Sequence, residues 1–427
     1  MSNSPAFQAA LNLASGNVAD ALETFRLEAI RNPSYKTFVN LAAAERASGL
    51  LEDASRSAWA AIKIDQRRYE AWHNLGNVRT DMGQFDHALD HYSRALARAT
   101  TTPDVPEGAQ RQIALAFATA NMRLRNFREA WPAWEIGRLE MAWWPLPGTE
   151  IWAGERAESI AVICEGGFGD AMLFGRWLPL VKERVKRVRL MLWRPLVNWR
   201  DWTALGVDEV IVKEDGVDPT GTEFSISWMS LPGVFGMRSV DDIPADTGLE
   251  AYPPHHFPYH GPPDRIGFCW HAEEAGNIRS VRAIPTQQAS EIAKDLFCNG
   301  KFDVVSLVPQ GKQLYRAAEF KTPDYVLQMD AVINTWEVTT EFIRTCRAVV
   351  TVDTAAAHLA GLCGVPTLLI LPCASDWKWG TSANTPTDPW YGSHVRYFRN
   401  QDPLAWDVPG IQAAVRALLS GGENATN

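Results

Sequence analysis

The sequence predicts an array of helical repeats followed by two parallel α/β units, and three observations carry that prediction. The N-terminal third matches itself at a spacing of 34 residues. From Ser159 onward, short β-branched runs alternate with helical stretches. Residues 349–372, "VVTVDTAAAHLAGLCGVPTLLILP", parse as strand, turn, helix, turn, strand. At 427 residues and 46% hydrophobic content the chain has length for two or three domains and a sizeable core. The expected division is 1–145 for the repeats, 146–250 for the first α/β unit and 251–427 for the second.

In the repeats, "FVNLAAAERASGLLEDASRSAWAAI" from Phe38 aligns with "WHNLGNVRTDMGQFDHALDHYSRAL" from Trp72. Leu41, Ala42, Gly49, Ala54 and Ala61 then face Leu75, Gly76, Gly83, Ala88 and Ala95. A third copy follows the insertion "TTPDVPEG", with Phe127 and Ala130 answering Phe85 and Ala88 at an offset of 42, and "GNVADALETFRLEAIRNP" reads as a partial first copy. A 34-residue period with small residues where two helices touch resembles the tetratricopeptide repeat, whose helix pairs stack into a superhelix with a concave face. That resemblance implies capture of a peptide or protein partner. The alternative is a packing or self-association platform, giving a homo-oligomer.

In the first α/β unit "SIAVIC", "RVRLMLW" and "DEVIVK" alternate with helical stretches such as "DAMLFGRWLPLVKER". The proline-rich "DDIPADTGLEAYPPHHFPYHGPPD", residues 241–264, reads as a linker. A second series follows in "RIGFCWH", "DVVSLVP", "AVVTVD" and "TLLILP". Two Rossmann-like units with a cleft between them account for this order, and one sheet with a long excursion is the alternative.

Residues 349–372 approach bilayer-spanning length, but Asp353 would be costly in lipid and Gly364-Val365-Pro366 would break a spanning helix. No membrane span is expected. The βαβ reading gives strands over 349–352 and 367–371 and a helix over 354–363. Asp353 and Thr354 then sit past the carboxyl end of a strand, at a helix N-terminus, where ligands of such units bind. Thr354 and His358, four apart, share a helix face.

Several function classes are disfavoured. A net charge of −9 gives no chain-wide basic footprint for nucleic acid. "MSNSPAFQAALNLASG" lacks a basic opening and an apolar stretch, so secretion is not expected. Cys164, Cys269, Cys298, Cys346, Cys363 and Cys373 show no C-x-x-C spacing and read as buried thiols in a reducing cytoplasm. His255, His256 and His260 stand among prolines without a Cys or acidic partner at a metal-site spacing.

"ICEGGFGDAMLFGRWLP" ends a strand and opens a helix through Gly166, Gly167 and Gly169, where glycine permits positive φ and close approach. It fails as a dinucleotide fingerprint: Met172 stands where the third glycine belongs, and "RVRLMLW" does not end on an acidic residue. Asp170 opens the helix. It is either a cap contributing about 1 kcal/mol or a general base facing the cleft.

The GGFGD loop and "TVDTAAAHLAGLCGVPTLLI" together look like GT-B glycosyltransferases of the ADP-heptose:lipopolysaccharide heptosyltransferase, family 9-like type. The tail "DWKWGTSANTPTDPWYGSHVRYFRN" resembles that of bacterial proteins joining tetratricopeptide repeats to such a domain. The resemblance implies Asp170 as catalytic base, with Gly167, Gly169, Asp353, Thr354 and His358 toward the donor's diphosphate. Ala355 and Ala356 depart from the Gly or Ser common after the Asp-Thr pair. Arg279 and Arg282, with Asn277 as a polar contact, are the candidate cations in "HAEEAGNIRSVRAIP"; the alternative is solvated loop arginines. Among 18 tryptophans, Trp377 and Trp379 cluster with Trp390 and Tyr391, either to stack on a base or sugar or to pack on the repeats.

The chain has no Asp-x-Asp, and neither a metal nor another cofactor is expected. The expected activity is metal-independent transfer of a sugar from a nucleotide-sugar donor to a hydroxyl of a glycan, lipid-linked or protein acceptor, with the repeats recognising acceptor or partner. Two alternatives stand beside it: a non-catalytic scaffold and a nucleotide-sugar epimerase.

Overall fold

The computed structural model describes residues 17–103, 105–138, 146–213, 221–246, 264–272, 282–308, 322–329, 333–381 and 388–420. The chain opens with α1 (Val18–Arg31), then three helical hairpins: α2 (Tyr35–Ala47) with α3 (Leu51–Ile64), α4 (Glu70–Asp81) with α5 (Phe85–Thr101), and α6 (Glu107–Arg123) with α7 (Phe127–Arg138). Ala42, Ala54, Ala61, Ala88 and Ala95, at the small positions of the period, are fully buried. At Gly76 a Cβ would lie 2.5 Å from Tyr92 Cε1, so glycine alone lets α4 close on α5.

The first helix of each hairpin ends in the same turn. Gly49 N–H donates to Arg46 O and Leu50 N–H to Glu45 O; Gly83 to Thr80 and Gln84 to Arg79; Arg125 to Met122 and Asn126 to Asn121. The turning residue is left-handed in all three, with φ of 77° at Gly49, 71° at Gly83 and 65° at Arg125. Glycine adopts that conformation freely. A side chain there costs about 1–2 kcal/mol, a cost the third hairpin alone carries.

The first α/β unit comprises β1 (Glu150–Ile151), β2 (Ala157–Ile163), α8 (Phe168–Phe174), α9 (Leu178–Lys182), β3 (Val185–Leu192), β4 (Glu209–Val212), β5 (Phe224–Ser227) and α10 (Leu231–Val234). Its parallel sheet runs β1-β5-β2-β3-β4. The second comprises β6 (Arg265–Cys269), α11 (Thr286–Lys294), β7 (Asp303–Ser306), α12 (Trp336–Arg344), β8 (Ala348–Val352), α13 (Ala355–Leu362), β9 (Thr367–Leu371), β10 (Val395–Arg399) and α14 (Val408–Ser420), with parallel order β10-β9-β8-β6-β7. Two parallel sheets replace the alternative of one sheet with an excursion.

Some local expectations change. The helical stretch after the glycine loop breaks into α8, a 3-10 turn over Gly175–Trp177 and α9, where Pro179 has no N–H to continue an unbroken helix. β5 escaped the sequence reading because Ser225 and Ser227, both fully buried, mask its apolar character. Residues 247–263 of the expected linker, with His255, His256 and His260, lie outside the described residues, while Asp246 just before them is fixed by Arg200 at 2.9 Å. Cys298 is exposed on the π-helical turn after α11, against the expectation of buried thiols. No helix among the described residues is long and apolar enough to cross a membrane.

One continuous hydrophobic core runs from α6 and α7 through both sheets to α14. Trp131 and Trp134 of α7 meet Trp377 edge-on, and Trp377 in turn meets Trp390. The third hairpin therefore shares its core with the sheets, while the first two have clusters of their own.

His91 packs between Trp59 and Trp72, its Nδ1 without a hydrogen-bond partner, and His73 lies against Tyr92. Burial brings both imidazoles down to about 4. Below the ordinary histidine value of about 6.5 the unfolded chain takes up protons that the folded repeats refuse, so stability falls between roughly pH 6.5 and 4 by up to about 3 kcal/mol per histidine. Urea titrations at stepped pH should show this decline, and His91→Phe should flatten it. A His91→Phe profile parallel to that of the wild type would mean that His91 is protonated within the fold.

Candidate active site at the seam of the two sheets

In open parallel sheets, ligands bind past the carboxyl ends of the strands where the strand order reverses. The first sheet reverses between β2 and β5, the second between β6 and β8. The first of these crevices is filled from the repeats. Arg138 of α7, fully buried, donates to Glu165 at 2.8 Å and to the Ser230 hydroxyl, and Trp228 Nε1 donates to Glu165 O at 3.0 Å.

Beside it, the glycine loop turns left-handed at Gly166 (φ 76°) and enters α8. Asp170 lies in the first turn, where its Oδ2 accepts from Gly167 N–H at 2.8 Å. Its Oδ1 accepts from Lys378 Nζ of the other unit at 3.0 Å. One oxygen thus caps the helix and the other faces Lys378 of the second unit. A Cβ on Gly169 would stand 2.6 Å from His358 Cδ2 and 3.3 Å from Ala355 Cα. The close approach at Gly169 is between units, and Gly167 has committed its N–H to Asp170, so neither glycine is open to a diphosphate in this arrangement.

From the second unit, Asp353, Thr354 and His358 gather at the β6/β8 crevice with Arg282. The Thr354 hydroxyl turns inward, 3.2 Å from Thr351 Oγ1 and 3.6 Å from Cys269 Sγ. Arg282 Nη1 donates to Asp353 O at 3.4 Å and stands 3.9 Å from Asp353 Oδ2, which is buried without a hydrogen-bond partner. Burial pushes the Asp353 carboxyl above its usual range and the Asp376 charge adds to this, against Lys378 and Arg282. His358 Nδ1 is 2.7 Å from the Tyr391 hydroxyl. Burial, reinforced by the Lys378 charge, holds this imidazole well below its usual range, so it is neutral at pH 7. Burial also keeps Tyr391 protonated.

Lys378, which the sequence reading passed over, is the centre of the cluster. It sits in the 3-10 turn Trp377–Trp379, whose cap, Asp376 Oδ1, accepts from Lys378 N–H at 3.0 Å. Its buried ammonium lies 3.0 Å from Asp170 Oδ1 and 3.0 Å from Asp376 Oδ1. Burial alone would lower its pKa, but Asp170, Asp376 and Asp353 together raise it above the lysine range, so it is charged. Burial likewise pushes Asp376 up, and Lys378 overrides that, bringing it down to about 2. The sequence held a signal: a lysine between two tryptophans, two residues after an aspartate.

Two expectations need correction. Trp377 is not available to stack on a base or sugar, because it is buried against Trp131, Trp134 and Phe174. Trp379, 1% exposed, already stacks on the His358 ring with centroids 4.9 Å apart. Asn277 and Arg279 lie outside the described residues. Among the described residues no group of three His, Cys, Asp or Glu side chains is placed to hold a metal ion.

The chain is thus a helical-repeat array joined to two Rossmann-like units facing one another, the GT-B arrangement. The tetratricopeptide repeat family model matches residues 69–99, the second hairpin. No curated protein matches the sequence. Among solved structures, the chain is similar to E. coli ADP-heptose LPS heptosyltransferase II, at 16% identity over 62% of this chain and 99% of that one, with a TM-score of 0.41. It is similar to a family 9 glycosyl transferase from Veillonella parvula at 12% identity, over 64% and 100%, with a TM-score of 0.41. The O-GlcNAc transferase of Thermobaculum terrenum matches at 13% identity over 98% and 92%, with a TM-score of 0.37.

Replacing Lys378 by Met leaves Asp170, Asp353 and Asp376 without their shared cation. The expected loss is about 3 kcal/mol of unfolding free energy in urea titrations, partly recovered in Lys378→Met with Asp376→Asn. An unchanged midpoint would mean that solvent already neutralises the cluster.

Proposed function

We propose that the protein is a glycosyltransferase that moves a sugar from a nucleotide-activated donor to an acceptor hydroxyl without a metal. The observation that carries this reading is the Asp170–Lys378 pair, a carboxylate from one unit held 3.0 Å from an ammonium of the other at the facing carboxyl edges. Base and cation on opposite walls are what displacement of a nucleoside diphosphate by a hydroxyl requires.

In the proposed step Asp170 takes the acceptor proton as the oxygen attacks the anomeric carbon. The bond from that carbon to the diphosphate oxygen breaks, its electron pair leaving with the diphosphate. Lys378, Arg282 and the N–H groups opening α13 offset that charge. Lys378 is paired with Asp170. A diphosphate drawing the ammonium to itself frees Asp170 Oδ1 to act as base. Asp353 Oδ2, buried without a hydrogen bond beside Arg282, is the group for a donor hydroxyl or amide to satisfy. The repeats take the acceptor or a protein partner.

A non-catalytic scaffold has specific observations on its side: Asp170 has both oxygens engaged, and Arg138 fills the first crevice. Thermal unfolding against ADP, GDP, UDP and CDP, with and without chelator, separates the two. A diphosphate at 100 times its dissociation constant adds about 2.7 kcal/mol, and chelator should not remove it. Asp170→Asn should keep that shift and lose transfer by about 10²- to 10⁴-fold. No stabilisation by any diphosphate at millimolar concentration would leave the scaffold; full-rate transfer by Asp170→Asn would remove Asp170 from the role of base.

A further inference from the structure

The turn between α6 and α7 reaches out of the repeats to the segment that carries Lys378. Arg123 Nε donates to Ser375 O at 2.9 Å. Arg125 Nη2 donates to Lys378 O at 3.1 Å, and its Nη1 lies 3.4 Å from Trp377 O. The same Lys378 carbonyl also accepts from Trp390 Nε1 at 2.8 Å. Gly380 turns left-handed directly under the guanidinium, where a Cβ would stand 2.7 Å from Arg125 Nη2. The backbone of Lys378 is thus set from the repeat side while its ammonium faces Asp170.

Arg125 occupies the position that Gly49 and Gly83 hold in the sister hairpins, with the same turn and the same positive φ. A strained non-glycine residue where two sister turns use glycine marks a side chain kept for something other than the turn. We infer that Arg125 is a positioning residue of the proposed transferase site, its guanidinium holding the 377–378 peptides so that the Lys378 ammonium stands opposite Asp170. Its catalytic meaning rests on the transferase reading. The placement itself does not.

Arg125→Gly installs the residue the sister turns already use, so the repeat turn is preserved. Amine acylation by N-hydroxysuccinimide acetate, read peptide by peptide, reports on Lys378 without any substrate. In Arg125→Gly, Lys378 should label at least ten times faster than in wild type, with Lys182 and Lys186 unchanged, and Arg125→Lys should recover part of the protection. Lys378 labelling at the wild-type rate in Arg125→Gly overturns the assignment. So does a general rise in amide hydrogen exchange across both sheets, which would make Arg125 a residue of the whole fold. In a second arm, binding of the nucleoside diphosphate that stabilises the wild type should weaken about tenfold in Arg125→Gly, and unchanged binding overturns a role in the site. A wild type that binds none of the four diphosphates sinks the transferase reading and leaves Arg125 to be decided by labelling alone.

Discussion

An ammonium can stay charged in a protein interior only where carboxylates surround it, and here those carboxylates come from both α/β units. Asp170 reaches Lys378 from the first unit, while Asp376 lies beside it and Asp353 acts on it from the second. The same cation brings Asp376 down to about 2 and adds to the burial that keeps His358 neutral. The seam is therefore held by electrostatics at its centre and by indole packing around it. Trp377, Trp379 and Trp390 exclude the water that would otherwise screen the cluster.

The repeats are part of this arrangement. The third hairpin touches both walls: Arg138 seals the crevice of the first sheet, and Arg123 and Arg125 brace the 375–378 segment of the second. Trp131 adds an indole N–H to Met237 O at 2.9 Å, and Trp134 closes the shared core. In a two-unit enzyme the usual route to opening is hinge motion between units. Here such motion must also move α6 and α7, which are bonded to both units.

Much of this was legible in the sequence because periodicity survives any tertiary context. The 34-residue spacing located the hairpins, and the apolar runs at 349–352 and 367–371 located strands buried on both faces. Asp170, Asp353 and His358 were found because strand, loop and helix place them at carboxyl edges. Lys378 was not, because it lies on an irregular turn where no period applies, and its burial depends on Trp131, Trp134 and Asp170, more than 200 residues away. Arg125 illustrates the same limit from the other side. Its alignment with Gly49 and Gly83 is visible in the sequence, but only the φ of 65° and the two carbonyls in front of its guanidinium give the substitution a meaning. For Trp377 and Trp379 the sequence left two readings open, since indole packing on a neighbouring helix and indole stacking on a ligand leave the same trace, and the structure shows packing.

The bond from Arg123 to Ser375 spans 252 residues. At a synthesis rate of 5–20 residues per second, α6 and α7 leave the ribosome roughly 10–50 s before the segment they are shaped to hold. Trp131 meets its own partner sooner, at Met237, 106 residues on. The third hairpin thus completes its contacts later in synthesis than the first two, whose clusters lie within the repeats.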